Sequence, residues 1–352
     1  MARATVAVRP AVLEKDRDAI LSVLSRNLTN AGTEARFDWL YRSNPAGQSL
    51  VWVAEDGNTG EIVGTSAAHP KKLVMDGKVE TVLNLSDFAF DRAYRTIGPA
   101  LKLLRASLAP IDEGRFALSY DHPSASMAAL YVRLGRAALG PWRRYSRRLR
   151  VDDLARKRLG DRRVVDVALF GVHLAIRLRD RVVDGRSHGL ELVSGPPQAA
   201  ELDGLDAEWR TPRFRVARTA AYVKWRFVEN VTVKHEILGA YEKGGRLAGY
   251  VVYRDGAPDT IKVLDLVAPE HEHERERVAR SLLGAVLGIA HARRKRGLTM
   301  TTLANGQAER LIESLGFWKR EDGPGVVIWS KDAPHGLYDP AEWWLVEGDE
   351  DV

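Results

Sequence analysis

The strongest constraint on this chain is an order of landmarks that it runs through twice. Trp39 stands 25 residues before Gly64 of EIVGTSA, and Trp225 stands 24 before Gly249 of RLAGYVV. Asp87, in the apolar stretch SDFAF, precedes Gly135 of YVRLGR by 48 residues, and Asp265, in LDLVA, precedes Gly316 of LIESLGF by 51. Four landmarks in one order are hard to obtain by chance, so the expectation is a tandem duplication of one module. The 352 residues leave room for about two domains of ordinary size.

Within the first half, strand and helix signals alternate. Thr5 to Val8 reads as a strand and Glu14 to Leu28 as an amphipathic helix. Ser49 to Ala54, Ile62 to Val74 and Val79 to Phe90 follow, joined by EDGNTGE and MDGK turns that favour antiparallel hairpins. A helix is expected over Pro99 to Ala109, a strand over Arg115 to Tyr120, a helix capped by Ser124 over Ala125 to Leu134, and a last strand near Tyr145 to Val151. The second half repeats this order. The expected class is α/β in the α+β sense: two tandem modules, each a mixed, mainly antiparallel sheet flanked by helices. Residues 1–150 form the first, 151–188 an Arg-rich amphipathic helical connector, and 189–352 the second with its acidic tail, docked by Trp343 and Trp344.

Composition narrows the function classes. With no cysteine, disulfides, thiolate metal sites and cysteine nucleophiles are excluded. The N-terminus lacks an apolar signal core and the longest apolar stretch, Val167 to Ile176, is too short to span a bilayer, so a cytoplasmic protein is expected. Basic residues gather between Arg143 and Arg163, ten against three acidic. Such a block serves either as a solvated face or, through 143–183, as a contact with an anionic or membrane surface; nucleic acid is not expected.

The stretch DFAFDRAYRTIGPALKLL carries the chemistry. A strand ends, Arg92, Arg95 and Gly98 occupy a turn, and a helix begins at once. Such a helix start offers unpaired backbone N–H groups at Ile97, Gly98 and Ala100 to phosphate oxygens. Pro99 removes one donor but suits the first helical turn. In the second half the corresponding EHERERVARSLL has no glycine and several carboxylates, which would repel a pyrophosphate. His271 and His273 lie two apart on that helix start and point to different faces, so no metal is expected. Asp121, His122 and Ser124 lie together in DHPSAS without forming a hydrolase triad, Ser124 being explained as a helix cap.

With RTIGPA at the turn and LYVRLGR on the next helix, the chain resembles the GNAT acyltransferases, whose pyrophosphate loop reads Q/R-x-x-G-x-G/A; Arg95, Gly98 and Ala100 fill that pattern. The whole chain is similar to tandem-GNAT proteins of bacterial polysaccharide loci, and more distantly to FemABX-like aminoacyl transferases. The resemblance implies a donor, acetyl-CoA or another acyl-CoA, held by Arg95, Thr96, Ile97, Gly98 and Ala100, and a small-molecule amine acceptor. It further implies Tyr131, four before Gly135, as the acid that protonates the departing thiolate, and Asp87 as base or orienter. Strict alternation keeps Asp87 off the face of Asn84 and Ser86 unless a bulge intervenes. In the second module Ile312 holds the tyrosine's place, so donor binding is assigned to the first; Asn84, Tyr222, Trp225, Arg226 and Asp265 are the candidate acceptor contacts. An aminoacyl-tRNA donor and a non-catalytic scaffold are the rival readings, and the oligomeric state is open.

Overall fold

The structure, a computed structural model, describes residues 5–29, 31–150, 189–268 and 272–350. The expected connector helices within 151–188, and the start of the second-half loop with His271, lie outside the described residues. The first half contains strands β1 (Val6–Pro10), β2 (Leu50–Asp56), β3 (Ile62–Met75), β4 (Lys78–Phe90), β5 (Ser119–Asp121) and β6 (Ala138–Arg148). Its helices are α1 (Leu13–Asn27), the single turn α2 (Glu34–Phe37), α3 (Ile97–Asp112) and α4 (Ala125–Arg133). The second half supplies β7 (Glu191–Ser194), β8 (Phe214–Val216), β9 (Glu236–Tyr241), β10 (Leu247–Gly256), β11 (Thr260–Val267), β12 (Gly297–Leu303), β13 (Trp318–Trp329) and β14 (Trp343–Trp344). Helices α5 (Ala199–Glu208), α6 (Ala220–Val223), α7 (Glu272–Ala292) and α8 (Gln307–Ser314) accompany them.

All these strands join one sheet, mainly antiparallel, in the order β1-β2-β3-β4-β5-β13-β6-β12-β11-β10-β9-β7. At the centre the sheets of the two halves join. β6, expected near 145–151, begins at Ala138 and lies between β13 and β12, while β13 pairs with both β5 and β6. β6 of the first half therefore lies beside β12 of the second, β13 of the second lies beside β5 of the first, and backbone hydrogen bonds run unbroken from one half to the other. The halves do not part at residue 150 in the sheet.

Both halves use the same local device after their first helices. Thr33 and Thr219 cap α2 and α6, accepting from the N–H of Arg36 and Tyr222 at 3.3 Å each. Each short helix then widens into a π-turn, Asp38–Arg42 and Lys224–Val228. These turns present Trp39 and Trp225 to each other. Each indole N–H donates to the other's backbone carbonyl, at 2.9 and 3.0 Å, with the rings stacked at 5.1 Å. The two landmark tryptophans thus meet at the local two-fold centre of the chain.

Each face of the first-half sheet has its own apolar layer. Val82, Ala89, Leu40 and Tyr41 join a large cluster that continues into the second half. Leu83, Leu85 and Phe90 pack with Leu103, Leu104, Leu108 and Tyr131 on the α3 and α4 side. Trp343 and Trp344 are buried, and β14 pairs with β8, so the tail docks as expected. No helix among the described residues is long and apolar enough to cross a membrane.

Candidate active site

The β3–β4 register advances two residues on β3 against three on β4 between Thr65↔Ala89 and Ala67↔Ser86. One extra residue is thus accommodated in β4, and Asp87 there takes φ +49°. This is the bulge on which the shared face of Asn84 and Asp87 depends. It turns Asp87 toward α2, where Arg36 grips it with bonds of 2.8 and 3.0 Å and the Tyr41 hydroxyl donates at 2.6 Å.

From Asn84 onward, alongside the bulge, the sheet forks. β4 and β5 pair in parallel at only two positions, Leu83↔Ser119 and Asn84↔Tyr120. β4 continues to Phe90 along α3, while β5 ends at Asp121 and the chain turns through Pro123 into α4. Ser124 caps α4 as expected, accepting from Met127. Between the diverging strands lies a chamber of about 190 Å³ whose walls include Ser86, Asp87, Asp121, His122 and Tyr131. It adjoins an outer cleft of about 440 Å³ walled by Phe88 and Phe90, by Arg95, Thr96, Ile97 and Ala100, and by Met127 and Leu130; Leu28, Phe88, Ser124 and Met127 border both spaces.

At the cleft's outer end α3 begins at Ile97, and Thr96 gives it no side-chain cap. The N–H of Ala100 is already spent on Thr96 O at 3.2 Å, so Ala100 is corrected from donor to wall. With Pro99 lacking an N–H, the first-turn donors facing outward are those of Ile97 and Gly98. Gly98 has no strained φ, and a Cβ built on it meets no protein atom within 4 Å. The glycine leaves open space in front of a helix N-terminus, as a phosphate requires. Arg95 fastens the loop, donating to Phe90 O at 2.9 Å and to Asn27 Oδ1 at 2.7 Å.

No family model and no curated protein matches the chain. Solved structures do. A conserved protein from Enterococcus faecalis described as a probable N-acyltransferase superposes with a TM-score of 0.63 at 12% identity, over 92% of this chain and 72% of that one. A GCN5-related N-acetyltransferase from Anabaena variabilis gives 0.62 at 13% identity, over 92% and 72%. Saccharomyces cerevisiae N-myristoyltransferase with bound myristoyl-CoA gives 0.58 at 10%, over 94% and 80%. The fold is that of the GCN5-related N-acetyltransferases.

Within that GNAT fold the individual side chains take other parts than the sequence suggests. Burial pushes the Asp87 carboxyl up, but Arg36, His69 and Tyr41 outweigh it and hold it below the usual carboxylate range. A carboxylate so engaged is a poor base. Asp87 anchors the bulge, and of the two parts expected of it, base or orienter, these partners favour the second. Tyr131 is buried and its hydroxyl donates to Asp121 at 2.7 Å. Burial first, then Asp121, raise its pKa well above that of an ordinary phenol. Losing that proton would set a phenolate against a carboxylate, so Tyr131 fits a wall of the chamber better than an acid.

The second-half candidates lie in the core rather than on a substrate surface. The Tyr222 hydroxyl donates to Gly348 O at 3.0 Å, and Arg226 donates to the carbonyls of Gly348 and Glu350. Trp225 is held by Trp39, and Asp265 pairs with Arg218 at 2.7 Å, burial raising its pKa. Of the basic block, Arg143 is bound by Glu309 and Asp322 and Arg147 reaches Leu315 O. Arg144 and Arg148 line a shallow pocket with Arg320, and residues 151–163 lie outside the described residues. Arg36, Tyr41 and Ser86 were not marked in the sequence as site residues. Arg36 lies 51 residues from the carboxylate that it holds, and nothing in its own segment signals that contact.

Proposed function

We propose that the chain is an N-acyltransferase that uses an acyl-CoA thioester and an amine, with the donor held in the first half, residues 1–150. One observation carries this reading. The cleft in front of the α3 N-terminus shares Leu28, Phe88, Ser124 and Met127 with the chamber in the β4–β5 fork, which supports a pyrophosphate at Ile97 and Gly98 and a thioester between the strands belonging to one molecule. The two N–H groups and the positive end of α3 would receive the pyrophosphate. Phe88, Met127 and Leu130 offer an apolar lining to the arm behind it. Where β4 and β5 have parted, backbone amides of β4 no longer serve the sheet on that side, and they are the groups suited to a developing oxyanion. The chamber's volume favours a short acyl group, with acetyl-CoA the simplest donor.

Titration of acetyl-CoA and longer acyl-CoAs into the wild type and into a Gly98→Glu variant tests this reading. The added side chain meets open space, and a carboxylate at a helix start is worth about 0.3 to 1 kcal/mol in the helix's favour, so the variant should fold at least as stably. Its donor affinity should fall at least about tenfold through charge repulsion. Failure of every acyl-CoA to bind the wild type overturns the reading.

A further inference from the structure

Four buried polar atoms without a hydrogen-bond partner gather in one corner of the molecule. Asn84 Oδ1 and Ser86 Oγ on β4, and both ring nitrogens of His122 beyond β5, all lie at the fork. An unpaired buried polar group costs about 1 to 3 kcal/mol, so several in one place mark a position that a polar ligand completes. Four titratable groups border the chamber: Asp87, Asp121, Tyr131 and His122. Asp87 is held by Arg36 and Tyr41, and Asp121 and Tyr131 hold each other. The imidazole alone among them has no hydrogen bond. Its ring is fixed between the edge of Tyr120, at 5.7 Å, and Trp142 of β6, at 4.5 Å.

We propose that His122, with Ser86, forms the acceptor end of the chamber, where a primary amine is received and loses its proton to the imidazole as its nitrogen attacks the thioester. The inference rests on the acyl-transfer reading and goes beyond it by naming the acceptor site. Ser86 Oγ accepts from an N–H of the amine and holds its lone pair toward the carbonyl carbon. The C–N bond forms, the C–S bond breaks, the proton passes from nitrogen to His122, and the imidazolium returns it to the departing thiolate.

Burial, and then the charge of Lys71 on β3, keep the ring neutral, with a pKa pushed down to about 3. A neutral ring has the free lone pair that this role needs. The weak basicity is partly offset because an amine nitrogen bonded to the tetrahedral carbon is far more acidic than a free ammonium. The cost of the imidazolium in this setting favours quick return of the proton.

The test uses hydroxylamine, small enough for the chamber whatever the natural amine, with acetyl-CoA as donor and hydroxamate as readout. His122→Gln should bind acetyl-CoA within about twofold of the wild type and melt at the same temperature, yet form hydroxamate about 10²-fold to 10⁴-fold more slowly. The His122 ring signals, identified by their loss in that variant, should shift when hydroxylamine joins the donor complex. Ser86→Ala provides a second reading if His122→Gln does not fold, and should slow the reaction about tenfold with donor affinity intact. Unchanged rates in the folded variants overturn the inference, as does a wild type that binds donor but makes no hydroxamate. If the wild type binds no acyl-CoA, the acyl-transfer reading falls and takes this one with it.

Discussion

Beyond Asn84, β4 and β5 part and enclose a chamber; beyond Val263, β11 and β12 part as well, and there the chain's own residues 345–349 fill the space. Leu303 N–H and the Thr302 hydroxyl both donate to Leu345 O, and Thr302 bridges to Val346. A Cβ on Gly348 would stand 3.1 Å from Leu264 O, so glycine lets the tail lie this close to β11. Asp349 reaches Arg218 at 2.7 Å, and Arg218 holds Asp265 at the same distance. Each fork lies beside a register shift in its hairpin, between Thr65 and Ala67 in one and between Val252 and Tyr253 in the other. The fork is thus a product of the module's backbone, and what occupies it decides whether it is a site. On the proposed function, the occupant in the first half is the acyl donor.

The largest expected effect is at the plug. Arg218 lies between two buried carboxylates, and Arg218→Met leaves both without their cation, a loss of about 3 to 5 kcal/mol read from urea denaturation. Arg36→Met strips a single carboxylate that keeps its bond from Tyr41, so it should cost less, about 2 to 3 kcal/mol. Equal or reversed costs would mean that the tail does not brace the second fork.

How much of this was legible follows from the range of the interactions. The turn, the cap at Ser124 and the glycine at 98 are local, and residues within a few positions announce them. The repeat is legible from its four landmarks, Trp39, Gly64, Asp87 and Gly135 against Trp225, Gly249, Asp265 and Gly316, and the caps Thr33 and Thr219, each six residues before its tryptophan, extend it. The exchange of β6 and β13 depends on pairing across some 180 residues, where alternation shows a strand but not its neighbour. The bulge at Asp87 was legible only as a condition. Which face Asp87 takes decides between base and anchor, and that choice lies with Arg36 and Tyr41, both distant in sequence.

A second comparison concerns acid. His69, fully buried against Ser49 at 2.7 Å, and His122 in the first half have pKa values pushed down to about 3, chiefly by burial; in the second half His235 is pushed to about 4. A folded pKa below the unfolded value of about 6.5 means that the unfolded chain binds more protons between the two. The stability due to each ring is complete above pH 6.5 and is lost as pH falls toward 3. At about 1.4 kcal/mol per pH unit, moving from pH 7 to 5 should cost about 2 kcal/mol through His69. Urea midpoints at the two values should differ, and His69→Gln should shrink the difference. A midpoint indifferent to pH in the wild type would mean that these rings are solvated.

The smallest effect probes what the halves share. Trp39→Phe keeps a ring at the two-fold centre but removes one indole donor, leaving Trp225 O buried without its partner; Trp225→Phe does the reverse. Each should cost about 1 to 2 kcal/mol, and by symmetry the two costs should match. The double variant decides how the joint works. If the two bonds hold one another in register, the second loss comes cheaply, because the first has already freed the stack, and the cycle shows coupling of about 0.5 kcal/mol or more. Strict additivity would mean that the continuous sheet alone fixes the halves, and that the paired tryptophans only fill space between them.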